Sequence, residues 1–415
     1  MRTAYTVLDS SNGLVDVPGF KVSAVHCDIR GNGDGRLDLA LLSSESDCNA
    51  AGVFTRNTMA AAPVRLGREQ VHEGGGGFRG ILINSGNANA CTGRGGLEDA
   101  RLMRREAARS LGCDEMAVFV CSTGRIGERL PIERIRKGIV EAESLLSGES
   151  SAGRQAADAI LTSDTRRKVS SYLVETPAGV VRLSGMAKGA GMIEPDMATM
   201  LAFICTDARI EPEPLQQLLA GATGESFNSI TVDGDESTND TVLMLANGSS
   251  GISLKPGAAG WAAFAAALGA LCLDLASMIV GDGEKITKVV EIMVRGAASG
   301  IDAEKASRAI GNSLLVKASW YGNDPNWGRI MDALGYSGAE VAEEDVSMFY
   351  ARSGESPEVA AFVGGEVVSS NRGLWKEIVS EPRFSIILDL GKGTASRRIW
   401  STDLTEGYVA FNKSE

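Results

Sequence analysis

The sequence predicts an α+β protein whose two halves share one core. Three observations predict it. Strand-like and helix-like segments alternate on both sides of the midpoint of the 415 residues. No linker, charge block or repeat separates the halves. Hydrophobic residues form 44% and charged residues 23% of the chain, which suits a large packed interior.

Taken in order, the first segment, 19–64, is strand-like, with short apolar runs at 37–42 and 51–55 bounded by Gly, Asn, Ser and Asp. Residues Gly75 to Gly80 spell GxGxxG, but a strand, Ile81-Leu82-Ile83, follows where a dinucleotide-binding turn needs a helix, so the glycines read as a surface turn. The stretch 84–93, Asn-Ser-Gly-Asn-Ala-Asn-Ala-Cys-Thr-Gly, is small and amide-rich. It is either a polar loop or a lining of hydrogen-bonding groups. Residues 98–111 have helical spacing, and 116–121 form a strand that ends at Ser122-Thr123-Gly124-Arg125. A turn of this kind can aim a hydroxyl and an N–H at one point, as an oxyanion requires. A plain strand-to-helix turn is the alternative. Helices are expected at 131–146 and 156–161, the second ending in Thr162-Ser163-Asp164-Thr165, and a hairpin at 172–183.

The hairpin leads to the stretch on which the chain turns, 188–201: Lys-Gly-Ala-Gly-Met-Ile-Glu-Pro-Asp-Met-Ala-Thr-Met-Leu. Two glycines loosen the backbone, and Pro195 stiffens it. A small residue, Ala198, then precedes Thr199 and an apolar run. This suits a peptide bond held for attack by the next side chain. The Thr199 hydroxyl attacks the Ala198 carbonyl, the chain breaks, and Thr199 becomes a new N-terminus. The freed α-amine, with a pKa of roughly 7.7–8.0, then serves as the general base for its own hydroxyl. An ordinary Gly/Pro loop before a buried strand is the plainer reading.

Beyond it, a short helix is expected at 212–221. Residues 229–240 alternate Asp, Ser and Asn, but Thr238 stands where a calcium loop needs its turn glycine and Met244 where it needs its last glutamate. A mobile acidic turn between two strands is expected instead. The apolar stretch 260–280 is broken by Asp274 and reads as one or two buried helices rather than a membrane span. A strand at 289–295, a helix at 302–315 and an amide-rich loop at 322–329 follow; 384–390 and 399–412 alternate like paired strands.

Composition removes several functions. The formal net charge of −12 argues against non-specific nucleic-acid binding and anionic membrane surfaces. Seven cysteines without a CxxC pair suggest reduced thiols in a cytosolic protein and no structural zinc site. No apolar signal core follows Met1. The two histidines, His26 and His72, lie beside no nucleophile motif and are too few for a His-rich metal site. A nucleophile in this chain therefore needs a base that is not histidine.

In content and order, 84–93, 122–127, 188–201, 230–242, 282–288 and 324–329 resemble the ornithine acetyltransferase (glutamate N-acetyltransferase, ArgJ) family over nearly the whole chain. The resemblance implies a layered αββα sandwich with two central sheets, similar to N-terminal-nucleophile hydrolases but wired differently. It implies self-cleavage between Ala198 and Thr199, giving an α chain, 1–198, and a β chain, 199–415, assembled as α2β2 or larger. The implied reaction is ping-pong. Thr199 takes acetyl from N-acetylornithine, releases ornithine and passes the acetyl to glutamate in arginine biosynthesis. Some members use acetyl-CoA as donor; no other cofactor and no metal is expected. The partners expected are small amino acids, with no nucleic acid and no membrane, in the cytoplasm. Thr123 and Gly124 match the family's oxyanion hole. Thr162, Lys188, Thr199, Glu284 and Asn412 match its substrate contacts. Lys188 and Glu284 offer opposite charges to a zwitterion; a solvated lysine and a turn carboxylate are the plainer readings.

Three positions depart from the family's pattern. Its usual ending is Asn-Ala-x-Tyr-Arg-Thr, whereas Lys413-Ser414-Glu415 follow Asn412, so a final threonine contact is expected to be missing. Arg125 stands where an apolar residue is usual, and Asn323 where a small alanine is. These departures keep open an acyltransferase acting on a different amine. An N-terminal-nucleophile amidase that hands the acyl group to water, and an uncleaved binding protein, are the other readings.

Overall fold

The computed structural model describes residues 5–74, 76–194, 200–353 and 358–413. Two compact units are present, Met1–Asn228 with Asp235–Ile279 and Ser229–Gly234 with Val280–Glu415.

The first unit holds strands β1 (Tyr5–Val7), β2 (Phe20–Val25), β3 (Leu39–Phe54), β4 (Phe78–Asn84), β5 (Val118–Ser122), β6 (Lys168–Thr176), β7 (Gly179–Lys188), β8 (Leu201–Thr206) and β9 (Thr241–Ala246). Its helices are α1 (Ala62–His72), α2 (Gly93–Leu111), α3 (Ile132–Ser144), α4 (Ser150–Ala159), α5 (Pro212–Glu225) and α6 (Trp261–Val280). The strand order is β1-β6-β7-β8-β9-β3-β4-β5, with β2 beside the first half of β3.

The long strand β3 organises this sheet. The sequence suggested two short runs here; the structure has one strand of 16 residues. Its first half pairs with β2 and β4, its second half with β9, and the register shifts between Ser43 and Cys48. The two arms of the sheet pack face to face. Ala40, Leu42, Ile81, Ile83, Phe119 and Cys121 from one arm meet Met186, Leu201, Phe203, Leu243 and Leu245 from the other in a single buried cluster. Alternate residues of the first arm (Leu39, Leu41, Leu82, Val118, Val120) face the other way, onto Met103 and Ala107 of α2 and Ile135 and Ile139 of α3. This period-2 switching makes a sheet buried on both faces. The second arm carries α6 on its outer face. A Cβ on Gly185 in β7 would come within 2.9 and 3.0 Å of Leu275 and Leu271 of that helix. The unit is therefore an αββα sandwich, the layered architecture the resemblance implied.

Helix α6 is one helix and is long and apolar enough to cross a membrane by length and composition; half of it is buried. Phe264, Leu268, Leu271, Leu275 and Ile279, spaced three and four apart, are wholly buried along one side. Asp274, which interrupts the apolar stretch, accepts hydrogen bonds from Ser170 (2.9 Å) and Tyr172 (2.7 Å) on β6.

The second unit holds β10 (Val289–Ala297), β11 (Ser347–Arg352), β12 (Val359–Val363), β13 (Glu366–Val367), β14 (Arg383–Asp389) and β15 (Ala395–Thr402), in the order β13-β12-β11-β14-β10-β15. Its helices are α7 (Gly300–Asn312), α8 (Leu314–Tyr321), α9 (Trp327–Gly335), α10 (Arg372–Val379) and α11 (Glu406–Phe411). Val290, Ile292, Val294, Phe384, Ile386 and Leu388 share a core with Ile310, Trp320, Leu334 and Trp375 from the helices. Two expectations are corrected here. The strands at 384–390 and 399–402 do not pair with each other; β10 lies between them, and 406–411 is helical. The single helix expected at 302–315 is two, because Ser313 breaks the first and caps the second by accepting from the Val316 N–H.

Phe203 is wholly buried between the two arms. Phe203→Ala should lower stability by about 3–5 kcal/mol, read from the urea midpoint; a loss below about 1 kcal/mol would show that the arms are not packed as described.

Candidate active site

Parallel pairing of β4 with β5 sets Asn84 opposite Ser122, so both strands end at one level. Buried amides then tie the loops that follow. Asn84 accepts from the Ser122 hydroxyl at 2.6 Å and donates to the Asn87 carbonyl at 2.9 Å. Asn239, arriving just before β9, donates to the carbonyls of Ala88 (2.6 Å) and Ser122 (2.8 Å). The amide-rich stretch is thus a buried lining from Asn84 to Ala90, and it reaches the surface at Cys91 and Gly93. Its short polar side chains replace the hydrogen bonds that a loop would otherwise take from water.

At the end of β5, Gly124 has φ +131, and a Cβ there would lie 2.3–2.7 Å from the Gly86 and Asn87 backbone. Only glycine fits. Among the described residues nothing accepts from its N–H. The neighbouring Thr123 N–H is already used by the Asn84 carbonyl at 3.0 Å, so the donor that Thr123 can offer is its hydroxyl. That oxygen accepts from Lys188 Nζ at 3.4 Å, which leaves its proton free to point elsewhere.

Lys188 ends β7 and is 2% exposed. Its Nζ lies 3.9 Å from Asp164 Oδ2. Asp164 also takes Lys168 Nζ at 2.6 Å and the N–H groups of Gly189 (2.7 Å) and Thr162 (3.1 Å). Burial pushes its carboxyl up, but the two lysines and these hydrogen bonds outweigh burial and hold it at about 2. Thr162 is therefore tied to Lys188 through Asp164.

Across β7, Lys188 is opposite Leu201, where β8 begins. The residue before, Met200, donates its N–H to Asp240 Oδ1 at 2.9 Å and accepts from the Thr241 N–H at 3.2 Å. Ala198 and Thr199 lie outside the described residues. In the second unit, Asn412 donates to Glu284 Oε2 at 3.1 Å. Thr405 bonds the Lys285 carbonyl (2.8 Å), which joins the turn bearing Glu284 to the segment bearing Asn412. Thr123, Gly124, Lys188 and, through Asp164, Thr162 thus gather in one unit, and Glu284 and Asn412 in the other. Arg125 is exposed; so is Asn323, whose φ of +54 suits asparagine better than alanine. A cavity of about 410 Å³ lies further along the loop, walled by Asn89, Thr92, Arg65 and Arg68, and includes neither Thr123 nor Lys188.

The sequence missed Asn239 and Asp240. The mobile acidic turn expected at 229–240 is exposed only at 234–236; Ser237 to Asp240 are buried. An uncapped Asn-Asp pair abutting an apolar strand was the available signal.

A hydroxyl and an unused amide held together beside a buried ammonium can stabilise the oxyanion of a tetrahedral intermediate. This equipment and the layered fold define an acyl-transfer enzyme. The model described as the ArgJ family matches residues 21–414, and the chain belongs to that family. It is 44% identical over 405 residues to the arginine biosynthesis bifunctional protein ArgJ of Symbiobacterium thermophilum, covering 97% of this chain and 98% of the relative. The mitochondrial ArgJ protein of Arthroderma otae is 41% identical over 415 residues, covering 95% of this chain and 87% of that one. Among solved structures, the ornithine acetyltransferase complexed with ornithine from Mycobacterium tuberculosis is 36% identical, covers 46% of this chain and 98% of its own, and has a TM-score of 0.42.

Asp164 gives a pH prediction. A carboxyl held at about 2, below its ordinary 3.8, stabilises the fold fully above the ordinary value, and that contribution fades as pH falls through the folded one. Between about pH 5 and about pH 2 the parent chain should lose roughly 2 kcal/mol that Asp164→Asn does not lose. Urea midpoints across that range check it, and parallel curves would contradict it.

Proposed function

We propose that this chain is an acetyltransferase of arginine biosynthesis that cuts itself between Ala198 and Thr199 and then moves acetyl from N-acetylornithine to glutamate. The observation that carries the reading is the cluster of Thr123 hydroxyl, Gly124 N–H and Lys188 at the level where β8 receives the chain from residue 199.

In self-cleavage, the Thr199 hydroxyl adds to the Ala198 carbonyl and the peptide bond shifts from nitrogen to oxygen. Water then hydrolyses the ester, leaving a carboxylate on Ala198 and a free amine on Thr199. In turnover, that amine takes the hydroxyl proton as Thr199 adds to the acetyl carbon of N-acetylornithine. The Thr123 hydroxyl and the Gly124 N–H stabilise the oxyanion, and the Lys188 ammonium adds positive charge. Collapse expels ornithine, whose amine takes the proton back. The glutamate amine then attacks the acetyl-threonine ester, and Thr199 is regenerated.

Thr162, Glu284 and Asn412 are assigned to substrate. Glu284 is a carboxylate suited to the free ammonium of an amino acid, and Asn412 fixes its orientation. Acetyl-CoA is assigned as an alternative acetyl donor. The α and β chains are assigned to an α2β2 or larger assembly. The cytoplasm is the assigned compartment, in keeping with seven free cysteines.

Intact mass spectrometry before and after brief exposure to N-acetylornithine tests the reading. Expected are two fragments meeting at Ala198 and Thr199, with one acetyl mass added to the C-terminal fragment. A single uncut chain without added mass would overturn the mechanism. Cleavage with free acetate, and no acetylglutamate when glutamate is supplied, would point to an amidase.

A further inference from the structure

Asp240 is wholly buried just before β9. Its position is fixed from two sides. Its carbonyl accepts from the Thr55 N–H at 3.0 Å, beyond the end of β3. Its Oδ1 accepts from the Met200 N–H at 2.9 Å. The parallel register sets Thr241 opposite Leu201, so Asp240 stands level with Met200. Among the described residues its second oxygen, Oδ2, has no hydrogen-bond partner. An interior selected for packing alone would not keep a carboxyl with one oxygen unsatisfied. The chain gains something from that oxygen-bearing group, and what it visibly holds is the amide joining Met200 to residue 199.

We propose that Asp240 is a positioning residue for acyl transfer, gripping the 199–200 amide so that the hydroxyl at 199 is presented both for self-cleavage and for turnover. The proposal rests on the assignment of Thr199 as nucleophile. Burial pushes the Asp240 carboxyl well above the ordinary range while Lys188 draws it back down; what the Met200 N–H needs from it is an oxygen acceptor at that place. Asparagine can reproduce such an acceptor. Alanine removes it, and glutamate misplaces it by one methylene.

The test uses the full chain as parent, Asp240→Asn, Asp240→Ala and Asp240→Glu. Cleavage half-time is read by intact mass, kcat and KM with N-acetylornithine and glutamate, and folding by thermal melting. Asp240→Asn should stay within about threefold of the parent in cleavage and kcat. Asp240→Ala should melt cooperatively yet cleave and turn over about 100-fold more slowly, with KM changed less than about threefold. A merely structural carboxyl would move melting without this split between kcat and KM and without rescue by asparagine. Should Asp240→Ala not fold, Asp240→Glu decides, with the same slowing expected. Parent-like cleavage and turnover in the deciding variant, or an asparagine variant as slow as it, overturns the proposal alone. A parent chain that neither cleaves nor transfers acetyl overturns the acyl-transfer reading, and this proposal with it.

Discussion

One buried carboxylate holds two lysines where β7 ends in the first unit. Asp164 meets Lys168 at 2.6 Å and Lys188 at 3.9 Å, and all three side chains are at most 2% exposed. Two buried ammonium groups share this carboxylate in a place without solvent. Such charge is expensive to bury unless it has further partners. Among the partners here are Thr123, which accepts from Lys188, and backbone N–H groups that donate to Asp164. Asp240 bears on the same lysine, which draws its carboxyl down while burial pushes it up. A buried ammonium beside an amide N–H and a hydroxyl with a free proton is the electrostatic setting an oxyanion needs. The same lock joins the turn at 162–168 to the end of β7, which is why Lys188 is aimed rather than loose.

The fold makes this arrangement cheap to hold. β4 and β5 run parallel and end together at Asn84 and Ser122; β7 ends at Lys188, where antiparallel pairing starts β8. β9 runs parallel to β8 and brings Asn239 and Asp240 in at the same level. Five strands thus deliver functional groups to one end of a sandwich whose interior is apolar. The segments before and after residue 199 lie in adjacent strands of one sheet, so a break in the covalent chain there leaves the ladder between β7 and β8 in place.

Much of this was legible in the chain. The strand at 116–121 with its Thr-Gly turn, the hairpin before Lys188 and the buried helix at 261–280 follow from local pattern and turn chemistry, and the structure has them. Thr123, Gly124 and Lys188 stand out in the sequence by their motifs, and the structure brings Thr123 and Lys188 into contact. What stayed hidden was set by long-range pairing. β3 reads as two runs because a polar stretch, Ser43 to Ser46, interrupts it, yet both halves are claimed by different neighbours of one sheet. β14 and β15 read as a hairpin because they are adjacent in sequence, but the parallel partner β10, about ninety residues earlier, inserts between them. Asn239 and Asp240 looked like a solvated turn because their acidic neighbours are; Asn239 bonds carbonyls more than a hundred residues away, and Asp240 the Met200 N–H on another strand's approach.

The account stands or falls on an acetyl-enzyme that forms with release of ornithine before glutamate arrives. Isotope exchange measures that step alone. Labelled ornithine is mixed with unlabelled N-acetylornithine and the protein, without glutamate, and label in N-acetylornithine is followed over time. The account predicts that label enters N-acetylornithine at a rate comparable to full turnover. Label that enters only after glutamate is added would mean that no separate acetyl-enzyme forms, and would contradict it.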